Sequence, residues 1–401
     1  MSRRAVITGM GIASGAGVGV EQFWRAIEAG ARGGRPIPHV DGPSALPRTG
    51  AAMPDALAGR AGARDPALRM AELAAGEALQ DAGLSPGRLP PASGLLVGTT
   101  LGGAVKGQRW HADLLAGRRP RRADLLQAPL HALADHLGDR FGLDGVRTAV
   151  SNACVSATLA LGMALDLVRG GEAELVVAGG ADSLHSFNYT GFAVLGMVGA
   201  ERCIPFDRAG RSKMMLGEAA AFVVVESEDS ARERGVGIRA ELAGHGTTCD
   251  AHHPTRPRPD GAGLSRAIEL ALRDASASAD EVDFIALHGV GVERVDAAEV
   301  AGLREVFGAR HAELPVATLR PLTGHTLGSA GAVDAVACVL ALQRGRILPT
   351  ATAGEGETAL APPARLQGTA RRANLRVALK TSSGFGGVNA ALVVRRWEGG
   401  G

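Results

Sequence analysis

Cys154 is the residue of this sequence with the clearest capacity for nucleophilic chemistry. The segment from Arg147 to Ser151 predicts a short strand, and NACVSATLALGMALDLVRGG then predicts a helix, buried on all sides, from about Cys154 to Arg169. Because the N–H groups at the first turn of a helix favour an anion, we expect the pKa of the Cys154 thiol to be lowered. The alternative is a buried structural cysteine.

Two histidines lie at corners where α/β enzymes place their site residues. His288 follows the apolar strand FIAL and opens the turn GVGV, and His325 lies between Gly324 and a helix of small residues in RPLTGHTLGSAGAVDA. Each is a candidate acid, base or hydrogen-bond donor, and each could equally be a structural imidazole at a tight turn. We expect the other histidines, including His252 and His253, at the surface.

A glycine-rich turn near the end of the chain, SSGFGGVN from Ser382 to Asn389, is a candidate oxyanion hole. Its backbone N–H groups could face a developing negative charge, or the segment could simply be a tight hairpin. It lacks the spacing of a phosphate-binding loop.

The elements that position these residues follow a repeated pattern of buried strands and helices. AVITGMGI near the start and IALHGVGV in the second half have similar shapes, which suggests a duplicated α/β core. We expect residues 31–64 to be a long surface excursion and residues 104–140 to hold helical patches broken at Pro120 and Pro129.

The composition excludes several classes of function. A formal net charge of +2 is too small to indicate nucleic-acid binding. No apolar run in the sequence reaches the roughly 18 residues of a membrane span. The four cysteines contain no CxxC pair and the N-terminus has no apolar signal region, so we expect a cytoplasmic protein without disulfides or zinc. Lysine occurs only at Lys106, Lys213 and Lys380, and arginine carries the remaining positive charge.

Taken together, the motifs resemble one family over nearly the whole chain. The sequence is similar to the β-ketoacyl-acyl carrier protein synthases of dissociated fatty-acid and polyketide systems, in the thiolase-like superfamily. The resemblance rests, in order along the chain, on RRAVITGMGIASGAG, SNACVSA, CIPFDRAGRSKMMLGEAAAFVVVE, HGVGVERVDAAE, TGHTLGSAG and GFGGVN.

The resemblance implies an α/β fold, the thiolase-like five-layer αβαβα sandwich made of two pseudo-symmetric halves. The first half would span residues 1–237 and carry Cys154, and the second would span residues 238–401 and carry His288 and His325. It also implies a homodimer, with a heterodimer with a homologous subunit as the alternative.

The implied reaction is acyl transfer from an acyl carrier protein to Cys154, followed by decarboxylative Claisen condensation with a malonyl-type extender. His288 and His325 would donate hydrogen bonds to the thioester carbonyl of the extender and to the enolate that CO₂ loss leaves. The backbone N–H groups of Cys154 and Ser383 would form the oxyanion hole. No tightly bound cofactor and no metal are implied, since the acyl carrier protein supplies the phosphopantetheine arm.

Five positions depart from the family pattern. Val290 and Val292 replace two threonines that bind the pantetheine arm, and each lost hydrogen bond is worth roughly 1 kcal/mol. Arg320 replaces a lysine, and Asp334 replaces the glutamate that pairs with it. We interpret this as a compensated charge pair, although arginine cannot act as an acid or base.

The fifth departure concerns the gate of the site. Ser383 replaces a gating phenylalanine, whereas Phe385 keeps the second ring of the motif. We expect the loss of the ring to widen the entrance or remove the gate, and to indicate a bulky, rigid or polar acyl substrate in specialised polyketide or fatty-acid-like biosynthesis.

Two other functions stay open at this point. A catalytically silent partner subunit would usually lack the cysteine, whereas Cys154, His288 and His325 are all present here. An acyltransferase or hydrolase could use the same three residues without decarboxylation, since a fold does not fix a reaction.

Overall fold

The computed structural model describes residues 3–41, 48–60, 62–85, 87–199, 203–207, 212–352 and 368–399. The strands are β1 (Ala5–Ser14), β2 (Gly17–Val18), β3 (Arg35–Pro36), β4 (Thr49–Gly50), β5 (Gly94–Gly98), β6 (Arg147–Val150), β7 (Leu175–Asp182), β8 (Ala219–Ser227), β9 (Ala240–Cys249), β10 (Phe284–Ala286), β11 (Val316–Ala317), β12 (Arg346–Ile347), β13 (Arg371–Arg372), β14 (Val377–Ser383) and β15 (Val388–Arg396). The helices are α1 (Val20–Glu28), α2 (Asp55–Ala58), α3 (Pro66–Asp81), α4 (Ala104–Leu115), α5 (Arg122–Gln127), α6 (Ala132–Phe141), α7 (Ser156–Arg169), α8 (Ser186–Val194), α9 (Glu228–Glu233), α10 (Ala262–Asp274), α11 (Glu293–Phe307), α12 (Arg320–Thr323) and α13 (Ala330–Arg344).

The central sheet consists of two five-stranded halves with the same topology. The strand order is β6-β5-β7-β8-β1 in the first half and β11-β10-β14-β15-β9 in the second. In each half the first three strands are parallel and the last two antiparallel to their neighbours. The halves join through β1 and β9 by two residue pairs, Val6 with Glu241 and Ile7 with Ala240.

Helices cover both faces of each half-sheet and so build five layers. The apolar helices α7 and α13 lie together between the two half-sheets, where they form the central hydrophobic cluster. α3 and α6 cover the outer face of the first half-sheet, and α10 and α11 cover that of the second. This is the five-layer αβαβα sandwich with two pseudo-symmetric halves, and the predicted fold class is confirmed.

Glycines allow the outer helices to approach the sheet closely in both halves. A Cβ atom on Gly11 of β1 would lie 2.0 Å from the carbonyl oxygen of Ala74 in α3. A Cβ atom on Gly246 of β9 would lie 2.2 Å from the carbonyl oxygen of Ala267 in α10. Any side chain would therefore push strand and helix apart.

The structure refines one expectation about local structure and corrects another. The helix predicted from about Cys154 to Arg169 is confirmed, and it begins at Ser156 because the preceding residues form the tight corner that carries the thiol. The segment 31–64 is more than a surface excursion: Ile37, Val40 and the residues from Ala51 to Met53 are buried, because this segment packs against the loops around the site. Residues 42–47 and 61 of that segment lie outside the described residues.

One stretch has the length and mean hydropathy of a membrane span. It runs from Leu327 to Arg344 and has a mean hydropathy of 1.2. However, 89% of this window is buried inside the protein, and it contains the charged Asp334. It is therefore the core helix α13 and the turn that precedes it. The predicted helical patches of residues 104–140 are confirmed as α4, α5 and α6.

Candidate active site

Cys154 lies in a strained corner between strand β6 and helix α7. Ala153 has a φ of 46°, a left-handed conformation that is uncommon outside glycine and that concentrates at functional sites. The Ser156 hydroxyl supports the corner: it donates to the Ala153 carbonyl at 2.6 Å and accepts from the Asn152 N–H at 2.8 Å. The corner thus holds the Cys154 thiol at the end of the central helix layer.

His325 lies at the equivalent corner of the second half, just before α13. Its N–H donates to the Met215 carbonyl at 2.7 Å, and its carbonyl accepts from Gly217 at 3.0 Å. Gly324 and Leu327, on either side, have φ values of 62° and 56°. The histidine is fully buried, and its Nε2 lies 2.9 Å from the Cys154 Sγ.

His288 lies on the loop after β10, and a carboxylate of α11 holds that loop. Glu299 accepts hydrogen bonds from the backbone N–H groups of His288 at 2.8 Å and Gly289 at 2.9 Å. Asp296 accepts from those of Val290 and Gly291 in the same way. Since these carboxylates fix four successive residues, the backbone that carries the His288 ring is held by the first two turns of α11.

The three predicted catalytic side chains converge on one narrow cavity. The ring centroids of His288 and His325 are 5.3 Å apart and the rings are nearly perpendicular, at 86°. Together with Cys154 they line a cavity of about 30 Å³. The structure therefore brings together residues that lie far apart in the sequence.

Burial controls the protonation of all three groups. Burial raises the pKa of the Cys154 thiol to about 12, and the negative charge of Asp182 adds to the increase. Burial lowers the pKa of His288 and of His325 well below the ordinary value, and the positive charges of Arg320 and Lys380 act in the same direction. The expected lowering of the thiol pKa by the helix terminus was therefore wrong, because burial outweighs the dipole. The resting pair is a neutral thiol beside a neutral imidazole.

Arg320 and Asp334 form a buried, bidentate ion pair beneath the histidines. The guanidinium donates to the two carboxylate oxygens at 3.1 and 2.6 Å, and its Nε donates to the His288 carbonyl at 3.1 Å. Arg320 is fully buried and Asp334 is 2% exposed. The pair thus links helix α13 to the loop that carries His288.

The glycine-rich turn approaches Cys154 closely. A Cβ atom on Gly384 would lie 2.7 Å from the Val155 side chain and 3.4 Å from the Cys154 backbone nitrogen. The backbone beside Ser383 is therefore close to the peptide N–H of Cys154, as an oxyanion hole made by these two residues requires.

The expected wide entrance is not observed. The Ser383 hydroxyl turns to Asn389 and donates to its Oδ1 at 2.8 Å. The Phe385 ring packs on Phe192 of α8, with 5.4 Å between the centroids, and both rings line the cavity. The loss of a ring at position 383 therefore does not open the site, because two other rings occupy its mouth.

The two valines predicted to face the substrate arm lie in different places. Val290 is 1% exposed and lines the cavity beside His288. Val292 is 8% exposed and lines a neighbouring groove with Lys213 and Arg294. Only Val290 shares the cavity with the thiol.

Sequence reasoning missed a carboxylate that connects several loops of the site. Asp182, at the end of β7, accepts hydrogen bonds from the Thr99 hydroxyl at 2.8 Å and from the N–H groups of Thr100 at 2.9 Å and Gly328 at 2.7 Å. Its position at the end of the buried strand LVVAGGAD is a signal that could have identified it, since a charge there must have partners. Glu299 and Asp296 were missed as well.

One histidine was assigned to the wrong environment. His185 is 4% exposed, although we expected all histidines apart from His288 and His325 at the surface. It precedes α8, and its backbone N–H donates to the Asn188 Oδ1 at 3.1 Å. Burial lowers its pKa to about 4. His252 and His253 are exposed, as predicted.

The fold and this Cys-His-His cavity define a thiolase-like condensing enzyme. Residues 2–231 match the family model "Beta-ketoacyl synthase, N-terminal domain", and residues 239–353 match "Beta-ketoacyl synthase, C-terminal domain". The chain therefore belongs to the β-ketoacyl synthase family.

Relatives of known role cover the chain almost completely. The 3-oxoacyl-[acyl-carrier-protein] synthase 2 of Vibrio harveyi is 32% identical over 98% of this chain and 99% of its own length. The tetracenomycin polyketide synthase ketoacyl synthase alpha subunit of Streptomyces glaucescens is also 32% identical, over 98% of this chain and 97% of its own length. The chain is thus an acyltransferase, a ketosynthase-type condensing enzyme of fatty-acid or type II polyketide synthesis.

Solved structures agree with this assignment. The ishigamide ketosynthase/chain length factor superposes with a TM-score of 0.90 at 33% identity, covering 99% of this chain and 100% of the other. A type II polyketide acyl carrier protein complex with its ketosynthase, AntDE:AntF, superposes with a TM-score of 0.89 at 26% identity, again covering 99% and 100%.

Proposed function

We propose that this enzyme takes an acyl group from the phosphopantetheine arm of an acyl carrier protein onto Cys154. It then joins that group to the enolate formed by decarboxylation of a malonyl-type extender. The observation that carries the proposal is the convergence of a thiol and two neutral imidazoles, with His325 Nε2 2.9 Å from the Cys154 Sγ. A transfer that stops at the acyl-enzyme needs one base, whereas decarboxylation uses two donors around one oxygen.

Acyl transfer begins with removal of the thiol proton. Because the pKa of Cys154 is raised to about 12, little thiolate exists at neutral pH, and a neighbouring base has to accept the proton. His325 is neutral and within reach. The Cys154 sulfur then attacks the carbonyl carbon of the incoming thioester, and the N–H groups of Cys154 and Ser383 stabilise the oxyanion. When the oxyanion collapses, His325 passes the accepted proton to the departing pantetheine sulfur.

Condensation uses the same imidazole nitrogens as donors. The Nδ1 atoms of His288 and His325 have no hydrogen-bond partner among the described residues, so neither tautomer is locked. The Nε2–H groups can therefore donate to the carbonyl oxygen of the extender while the electrons of the broken C–C bond form the enolate and CO₂ leaves. The enolate carbon attacks the acyl group on Cys154, whose sulfur departs as thiolate and is reprotonated by solvent.

The carrier and the assembly are part of the proposal. AntDE:AntF is described as an acyl carrier protein in complex with its ketosynthase, and the ishigamide protein as a ketosynthase/chain length factor. We expect an acyl carrier protein as substrate carrier and a dimer with a second copy or a homologous subunit, in the cytoplasm. The similarity to polyketide ketosynthases supports a place in specialised polyketide or fatty-acid-like biosynthesis.

The test is intact-mass analysis of the protein after incubation with an acyl carrier protein or a short acyl thioester. We expect one acyl group per chain in wild type and none in Cys154→Ala. Cys249→Ala is the matched control, since Cys249 is exposed and would report non-specific labelling. Malonyl carrier added next should release CO₂ and yield a product extended by two carbons.

Other outcomes separate the competing functions. Acylation of Cys154 without CO₂ release would indicate transfer to an amine, an alcohol or water. The absence of acylation with every carrier would indicate a silent partner subunit.

A further inference from the structure

Lys380 is a buried lysine next to the site that the proposed mechanism does not use. It lies on β14, three residues before Ser383, and its side chain is fully buried. Because side chains alternate along a strand, Ala378, Lys380 and Ser382 share the face that packs on the central helices α7 and α13. Lysine is rare in this arginine-rich chain, with only three in 401 residues, so its presence here is not explained by composition.

The ammonium group of Lys380 connects three elements of the site. It donates to the Thr158 hydroxyl of α7 at 3.3 Å and to the Ser382 hydroxyl of its own strand, and it lies 3.7 Å from an Asp334 oxygen of α13. The hydroxyls of Thr158 and Ser382 are also 2.8 Å apart. Thr158 of α7 lies about one helical turn after Cys154 in the chain, and Ser382 directly precedes Ser383. This cluster therefore joins the two segments that form the proposed oxyanion hole.

Two cations of the cluster lie within ion-pair distance of one and the same carboxylate. Asp334 is already paired with Arg320 at 3.1 and 2.6 Å, and Lys380 adds a second cation to the same carboxylate. The titratable and charged groups whose charges act on Lys380 come from three helices: Asp334 and Cys338 on α13, Arg320 on α12 and Glu299 on α11. Two buried cations around one carboxylate do not favour folding, which suggests that the second cation is retained for another reason.

We propose that Lys380 is a positioning residue for acyl transfer and condensation: its ammonium holds strand β14 against helix α7 and adds positive charge behind Cys154. This inference rests on the proposed function. The clamp keeps the N–H groups of Cys154 and Ser383 aimed at one point, where the oxyanion develops. The charge favours the thiolate over the thiol, as acyl transfer requires, and the neutral over the charged form of both histidines, as hydrogen-bond donation during condensation requires.

The charge of Lys380 depends on pH in an accessible range. Burial lowers its pKa from 10.5 to about 8, and Arg320 acts in the same direction while Asp334 opposes it. We therefore expect the rate of Cys154 acylation to lose a Lys380-dependent component above about pH 8. Because the unfolded chain binds more protons than the folded chain between pH 8 and 10.5, the contribution of Lys380 to stability rises with pH across that window.

The experiment compares Lys380→Met and Lys380→Arg with wild type in the intact-mass and CO₂ assays, from pH 6.5 to 9.5. We expect acylation of Lys380→Met at pH 7 to be about 10- to 100-fold slower than that of wild type, because the oxyanion hole is misaligned. The acylation rate of this variant should also lack the decrease above about pH 8 that wild type shows. Its unfolding midpoint at pH 7 should equal or exceed that of wild type, since a buried charge is removed. The ratio of the Lys380→Arg acylation rate to the wild-type rate should be higher at pH 9 than at pH 7, because arginine does not deprotonate.

Lys106→Met is the matched control. Lys106 is also buried, with its Nζ donating to the Gly62 carbonyl at 2.7 Å, but it lies on α4 outside the site. We expect its acylation rate per folded molecule and its pH profile to equal those of wild type. If Lys380→Met acylates at the wild-type rate with the wild-type pH profile, the inference is overturned while the proposed function stands. If wild type itself is not acylated, the proposed function is wrong and the inference fails with it.

Discussion

The two halves of this enzyme have the same frame but hold opposite parts of the chemistry. After the outer strand β6, the first half places Cys154 at the start of its central helix; after β11, the second half places His325 at the start of its own. The second strands of the two half-sheets are β5 and β10, and after them the N–H groups of Thr99 and Leu287 donate to β6 and β11 in the same register. The next residues, Thr100 and His288, therefore occupy corresponding positions. The nucleophile therefore comes from one copy of the frame, and both imidazoles come from the other.

The halves also differ in how they use buried charge. Asp182 supports the loops of the first half by accepting from hydroxyl and backbone N–H groups. Around the two histidines, the second half buries charged side chains that include Glu299, Arg320, Asp334 and Lys380. Matching corners of the two halves thus carry different groups, and buried cations of the second half act on the thiol of the first.

Replacement of either catalytic histidine by alanine should have the largest effects on the reaction, and the two replacements should affect different steps. His325→Ala removes the imidazole whose Nε2 lies 2.9 Å from the Cys154 Sγ, and we expect acylation and condensation both to fall about 10²- to 10⁴-fold. His288→Ala should leave acylation within a few-fold of wild type and reduce CO₂ release by a similar large factor, because its ring lines the cavity while the hydrogen bond to the sulfur comes from His325. Single-turnover acylation and CO₂ assays separate the two steps. Equal losses of acylation in both variants would contradict this division.

The buried charges of the second half should dominate its stability. Asp334→Ala leaves Arg320 and Lys380 buried without a carboxylate, and we expect it to lower the free energy of unfolding by about 3–5 kcal/mol. The matched control is Asp113→Ala, at the ion pair with the exposed Arg118, which should change it by less than about 1 kcal/mol. Denaturant titration followed by circular dichroism measures both. Similar losses in the two variants would show that the buried charges contribute no more to the free energy of unfolding than an exposed ion pair does.

The sequence allowed prediction of what is local, and its failures concern contacts between distant segments. The strand and helix pattern, the corners of Cys154, His288 and His325 and the family motifs are each readable within about fifteen residues. The raised pKa of Cys154 was not predictable, because it results from burial between two half-sheets. The role of Lys380 was hidden for the same reason, since its partners lie on helices more than 40 residues away in the chain.

Glycine substitutions should test whether the two halves tolerate the same change. Gly11→Ala and Gly246→Ala each place a methyl group against a backbone carbonyl oxygen, at 2.0 and 2.2 Å, and we expect both to destabilise the protein by at least 1–3 kcal/mol, roughly equally. Gly191→Ala is the control, because nothing lies within 4 Å of its Cβ position on α8, and it should be neutral or stabilising by up to about 1 kcal/mol. Thermal unfolding of the three variants gives the comparison. A loss confined to one half would show that the close approach matters in that half alone.

The smallest effect should come from the valines that distinguish the cavity from the groove beside it. Val290→Thr places a hydroxyl in the cavity next to His288, where the substrate arm can accept its hydrogen bond, so we expect KM for the malonyl carrier to fall about fivefold, equivalent to roughly 1 kcal/mol. Val292→Thr places the hydroxyl in the neighbouring groove and should leave KM within twofold of wild type. Steady-state kinetics with one malonyl carrier, at equal acyl-enzyme loading, measures both. If Val292→Thr lowers KM as much as Val290→Thr does, the arm passes through the groove as well, and the second half binds the carrier over a wider surface than its cavity.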